Sequence, residues 1–193
     1  MTPIDRLKKS VTKLSKIKYF DLISFSYNFE RMVNNIYFFN NSLCANCQNE
    51  SEVSNVQYKL PVKERPKEGQ VAYFYIENSY PKEIFNSHWC LILKDFGSLM
   101  LVAPMTSIKI DSSDIYEPTE IDIKIKDFEN DSLSRLHINQ IFSADIMRID
   151  KTKSIYDLED DFEEVRNKIF EKIFSKPIDN SKELCYSVSE ENN

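Results

Sequence analysis

A chain of 193 residues suits one domain with or without an appendage, and its 41% hydrophobic and 29% charged residues describe a globular protein rather than a disordered or fibrous one. No apolar run approaches the roughly 20 residues that a bilayer span requires, and four cysteines in a chain of this length do not make a disulfide framework. The formal net charge of −6 argues against a generic nucleic-acid coat, but the average hides a gradient. Residues 1–40 carry seven Lys/Arg against three Asp/Glu, residues 59–109 seven against five, and residues 156–193 five against eleven.

Ile4, Leu7, Val11, Leu14 and Ile17 fall at helical spacing with lysines on the other faces, which predicts an amphipathic helix over 4–18. This lysine-rich opening lacks the apolar core of a secretory signal, so the expected compartment is the cytoplasm. Leu22, Phe25, Phe29, Met32, Val33, Ile36 and Phe39 predict one helix or two over about 20–39, ending in Asn40-Asn41-Ser42. Residues 1–42 therefore read as a helical arm whose wide apolar face must be buried on a barrel or on a second subunit. Its lysines either guide RNA or form a solvated face.

Residues 43–66 are polar, are bounded by Pro61 and Pro66, and read as a linker. Within it, Cys44-Ala45-Asn46-Cys47 invites a zinc or redox reading. A structural zinc needs four ligands, and Cys90, Cys185, His88 and His137 stand in no partner spacing. A redox Cys-x-x-Cys opens a helix in a βαβ unit, and no such unit is predicted here. The pair is expected to be two thiols in a linker, with no metal and no cofactor.

From Gly69 onward the pattern changes to short β-branched, aromatic or alternating runs: 71–77, 89–94, 99–104, 121–125 and 137–149. With only 2 Gly in the chain, their turns must come from Asn, Asp and Ser. Five short strands with no helix between them predict a curled sheet or small barrel. Residues 157–174 return to helical spacing, acidic at the start and basic at the end as a helix dipole prefers. The barrel with this helix spans 67–176, and a polar tail follows over 177–193.

The stretch 69–109 and the block after it carry the chemistry. Gly69-Gln70-Val71 opens a strand, and Glu83 stands five residues before His88-Trp89 at the head of the next one. Pro104-Met105-Thr106-Ser107 ends the third strand, and Asn139-Gln140-Ile141, Asp145 and Arg148 follow later. In order and spacing this layout resembles the MazF/PemK toxin family, the type II toxin–antitoxin endoribonucleases, over about residues 67–175. The chain departs from the family pattern at one place, where His88-Trp89 stands for the family's Arg-Pro.

The resemblance implies a mainly β fold with flanking helices, a small SH3-like barrel of the MazF/PemK/CcdB type. It also implies a homodimer with its RNA groove across both subunits, and a cognate antitoxin whose disordered segment blocks that groove. The implied activity is sequence-preferring, metal-independent cleavage of single-stranded RNA by 2′-OH attack. Its products are a 2′,3′-cyclic phosphate and a 5′-hydroxyl, and DNA resists because it lacks the 2′-OH.

Chemistry supports the family slot. Histidine as a residue type can act as acid or base near neutral pH, which makes His88 the candidate general acid or base, while the Thr106 and Ser107 hydroxyls are candidates to steady the phosphorane oxygens. Glu83, Trp89 and Lys109 make up the candidate substrate-binding set, with Trp89 either a core residue or a platform for a base. Gln140, Asp145 and Arg148 are expected to hold the last strand. His137, read as a strand start, has no role carried over. Two other readings stay open. One is a non-catalytic binding module on the same barrel, inhibiting a protein target such as gyrase or binding RNA without cutting it. The other is an adaptor that works through its amphipathic arm.

Overall fold

The computed structural model describes residues 1–18, 21–56, 58, 60–76, 83–84, 86–128 and 133–174. The polar tail, Cys185 and most of the loop at 78–87 lie outside the described residues.

Helix α1 (Pro3–Leu14) starts where its signals place it. The Thr2 side chain accepts from the Asp5 N–H at 3.1 Å, the Asp5 carboxylate accepts from the Thr2 N–H at 3.0 Å, and Pro3 occupies the first turn. It buries none of its residues. Helix α2 (Leu22–Phe38) is capped by Asp21, which accepts from the Ser24 N–H at 2.9 Å, and it runs on into a π-helical turn at Phe39–Leu43.

The expected linker is more ordered than its composition implies. A short helix α3 (Glu50–Asn55) forms there, with Asn49 accepting from the Glu52 N–H at 3.0 Å. Cys44 and Cys47 are not two thiols but a disulfide. The Cys47 N–H bonds back to the Cys44 carbonyl at 3.0 Å, and this tight turn brings the two Cα atoms to 5.2 Å, within bridging range.

Among the described residues seven strands follow: β1 (Gln70–Ile76), β2 (Asn86–Asp95), β3 (Leu99–Ser107), β4 (Glu120–Ile123), β5 (Ser134–His137), β6 (Phe142–Asp145) and β7 (Tyr156–Asp157). Helix α4 (Phe162–Phe174) comes after them. All the strand pairs are antiparallel, in the order β4-β5-β3-β2-β1-β7, and β6 pairs with the first half of β3. The sheet curls until its two ends meet. Ile125, just past β4, bridges Leu158, just past β7, while the Lys126 N–H bonds the Asp157 carbonyl at 2.9 Å and the Glu159 N–H bonds the Lys124 carbonyl at 3.0 Å. Joining the edges in this way removes open backbone that would otherwise recruit another strand.

Two apolar clusters explain why the central strands read as nearly continuous hydrophobic runs. Val71, Leu91, Leu93, Ala103 and Met105 face inward with Ile121, Ile123 and Leu136, covered by Val165 and Ile169 of α4. The alternate residues Ala72, Phe74, Cys90, Ile92, Met100 and Val102 face the other way, against Ala144, Ile146 and Ile149. Strands buried on both faces lose polar alternation.

The run 137–149 is not one strand. Strand β5 starts earlier, at Ser134, and His137 is its last residue. The Ile138 N–H then bonds the Thr119 carbonyl at 2.7 Å and the chain makes a 3₁₀ turn. Asp145 ends β6 by accepting from the Met147 N–H at 2.8 Å, which opens a second such turn. The last helix also begins later than its apolar spacing suggests, because Tyr156–Asp157 are drawn into the sheet beside Val71 and Gln70.

Candidate functional site

Strand alternation assembles the site. On β2 and β3 the residues Cys90, Ile92, Val102 and Pro104 share one face, and Cys90 pairs with Pro104. Two residues beyond that pair the same face carries His88 and Thr106 in place of apolar side chains. Thr106 stands opposite Arg135 of β5, and β5 presents His137 on the same side two residues on. Opposite His137 and Arg135, β4 supplies Glu120 and Asp122. Where the second apolar cluster ends, one face of the curled sheet therefore becomes a polar corner built from four strands.

Both histidines of the chain border one open cavity of about 630 Å³, with Glu83, Asn86, Thr106, Glu120 and Gln140. An adjoining cavity of about 420 Å³ shares His88 and Thr106 and adds Trp89, Ser107, Lys109, Tyr73, Phe128 and Ser134. All six residues singled out from the sequence (His88, Thr106, Ser107, Glu83, Trp89 and Lys109) thus line these two neighbouring spaces. Trp89 is both wall and core. Its ring meets Tyr73, Phe128 and Tyr156 edge-on, with centroids 5.1, 5.2 and 5.4 Å away. Ser134 is buried beside it, and its hydroxyl has no hydrogen-bond partner among the described residues.

The feature that sequence reasoning missed is His137. Its Nε2 lies 3.0 Å from the Thr106 Oγ1, and its Nδ1 faces the Glu120 Oε1 at 3.5 Å. The other Glu120 oxygen accepts from the Tyr116 N–H at 2.7 Å and faces the Arg135 Nη1 at 3.6 Å. Arg135 in turn grips Asp122 with two bonds, of 2.7 and 3.1 Å, and donates to the Ser113 carbonyl at 2.7 Å. Its charge is matched by carboxylates and does not project into the cavity as a bare cation.

Burial pushes the His137 imidazole below its ordinary pKa; the Glu120 carboxylate opposes this, and His88 and Arg135 reinforce it. Burial thus favours the neutral ring. In the tautomer that carries its proton on Nδ1, the nitrogen that faces Glu120, Nε2 is able to accept from the hydroxyl in front of it. One sequence signal was available, since only 2 histidines occur in the whole chain.

The last-block residues hold structure. Gln140 accepts from the Ile84 N–H at 3.1 Å and so ties down the segment beside Glu83, Asp145 bonds Tyr58, and Arg148 donates to the Tyr75 carbonyl at 3.3 Å. The arm reaches the site through a polar contact. The buried Asn28 of α2 donates to the Asn86 side chain at 2.9 Å, and Arg31 stacks 3.5 Å over the Tyr75 ring.

A second cavity, also of about 630 Å³, lies between α2, α3 and β3 and contains no histidine. Among the described residues no helix is long and apolar enough to cross a membrane. No family model and no curated protein matches the chain.

Proposed function

We propose that this protein is a metal-independent endoribonuclease that cuts single-stranded RNA by attack of the 2′-hydroxyl, working in the cytoplasm as a toxin under the control of an antitoxin. The proposed fold type is the SH3-like barrel of the MazF/PemK toxins. One observation carries this reading: the chain's two imidazoles and the Thr106 hydroxyl border a single open cavity at the end of the curled sheet. In-line cleavage of RNA needs one proton removed from the 2′-oxygen, one delivered to the 5′-oxygen, and donors to the phosphorane oxygens. Imidazoles serve the first two needs near neutral pH, and the Thr106 and Ser107 hydroxyls serve the third. Trp89 and Lys109, beside them, suit a base and a phosphate. The homodimer belongs to the same reading.

The matched charge of Arg135 favours a second reading, a binding module on the same barrel without cleavage. One assay separates the two. The purified protein and His88→Ala are incubated in EDTA with a long single-stranded RNA and the matching DNA, and the product ends are mapped. The expected result is cutting of RNA alone, leaving 5′-hydroxyl ends and slowed by about 10²–10⁴ in the variant. Intact RNA from a folded sample free of antitoxin would leave the binding module.

A further inference from the structure

Resting on the ribonuclease reading, we infer that His137, oriented by Glu120, is the general base of the reaction and that His88 is its general acid. Three observations converge on this division. Glu120 and His137 are a directly paired cross-strand couple, so the carboxylate addresses Nδ1 and leaves Nε2 pointing at the cavity. The Thr106 hydroxyl lies in front of Nε2, 3.0 Å away, and marks where a substrate hydroxyl would sit if it took over that contact. Glu120 is itself fixed by the Tyr116 N–H and faces Arg135, so the orienting group does not wander.

In the step that follows, the 2′-OH proton passes to His137 Nε2 as the 2′-oxygen bonds to phosphorus. The bond from phosphorus to the 5′-oxygen breaks, and the leaving oxygen takes a proton from the His88 imidazolium. Thr106, released from His137, donates to a non-bridging oxygen. Solvent exchange then returns both imidazoles to their starting states. The neutral state that burial imposes on His137 is the state a base requires. Glu120 is a positioning residue. Among the described residues, the titratable and charged groups around His137 are Glu120 from β4, Arg135 from its own strand and His88 from β2, with Glu83 across the cavity.

The test is kcat/KM for RNA in EDTA across pH 5 to 9 for wild type, His137→Gln and Glu120→Gln, with circular dichroism as the folding check. His137→Gln should lower kcat/KM by about 10²–10⁴. Glu120→Gln removes the carboxylate that raises the imidazole's pKa, so the acidic limb of its pH profile should move to lower pH. A purely structural role for Glu120 would lower the rate and leave that limb in place, which would overturn its assignment. If wild type cuts and folded His137→Gln cuts within a few-fold of it, His137 is not the base while the ribonuclease reading survives. If wild type leaves RNA intact, the ribonuclease reading falls and the division of labour falls with it.

Discussion

His137 links the chemistry of the corner to the stability of the fold. Burial holds its imidazole below the ordinary histidine pKa in the folded state, so the unfolded chain binds its proton more readily. The stability this ring contributes is therefore present above about pH 6.5 and is lost as the pH falls below it. Thermal unfolding followed from pH 7.5 to 5.5 should show a falling midpoint in wild type and a flatter course in His137→Gln. Parallel curves would mean that the folded imidazole is not desolvated.

At this scale the sequence was legible for side chains that sit beside a strand end or turn. His88, Thr106 and Ser107 fall at strand ends, where a fold of short strands displays its chemistry. His137 was not legible, because its partners stand at 106 and 120. Nothing in linear spacing joins those positions until β3, β5 and β4 are registered against one another.

Among the elements, the two glycines show how sequence and packing divide the work. Both have positive φ, +82° at Gly69 and +96° at Gly97, where an L side chain is strained. At Gly97, in the β2–β3 turn, an added Cβ meets nothing within 4 Å; at Gly69 it would lie 3.0 Å from the Phe162 ring carbon at the start of α4. Gly97→Ala should cost about 1 kcal/mol from the backbone alone, and Gly69→Ala about 2 kcal/mol or more because the helix must also shift. Paired denaturation curves check the ordering. Equal losses would show that α4 yields freely at Phe162.

The central strands were readable from their continuous apolar runs, and α1 and α2 from their apolar spacing. Helix α3 was not, being only 6 residues long in a polar stretch. The segment 137–149 looked like one strand because it is rich in β-branched and other apolar residues and holds no Gly or Pro to interrupt it. The turns are imposed from outside its own sequence in one case, by the Thr119 carbonyl, and by the Asp145 side chain in the other.

For the whole molecule, the exposed helical arm is the feature that a lone chain leaves unexplained. On α1, Leu7 and Val11 are 52% and 55% exposed, and on α2 Ile23 and Ile36 are 71% and 54% exposed. These side chains of the arm are not buried on the barrel, the cover that one expectation gave them; α2 meets the barrel through contacts that include the Asn28–Asn86 bond and Arg31 over Tyr75. Apolar residues clustered on such a scale mark an interaction surface. The proposed homodimer gives this surface a second copy of itself. Light scattering should then give twice the 22.8 kDa of one chain, falling to one chain in Leu7→Ser/Val11→Ser/Ile36→Ser. A wild-type mass of 22.8 kDa would sink the dimer.

The sequence by itself determined the division into a helical arm and a β-rich body, the apolar strands of the sheet, and most of the residues that line the corner. Periodicity and caps act over a few residues and can be read in one dimension. Only the tertiary structure decided that the sheet curls until β4 and β7 join, that Cys44 meets Cys47, and that His137 lies between Thr106 and Glu120. The closure of the sheet and the place of His137 depend on contacts between strands that no local pattern encodes, whereas the disulfide follows from the tight turn between its two cysteines.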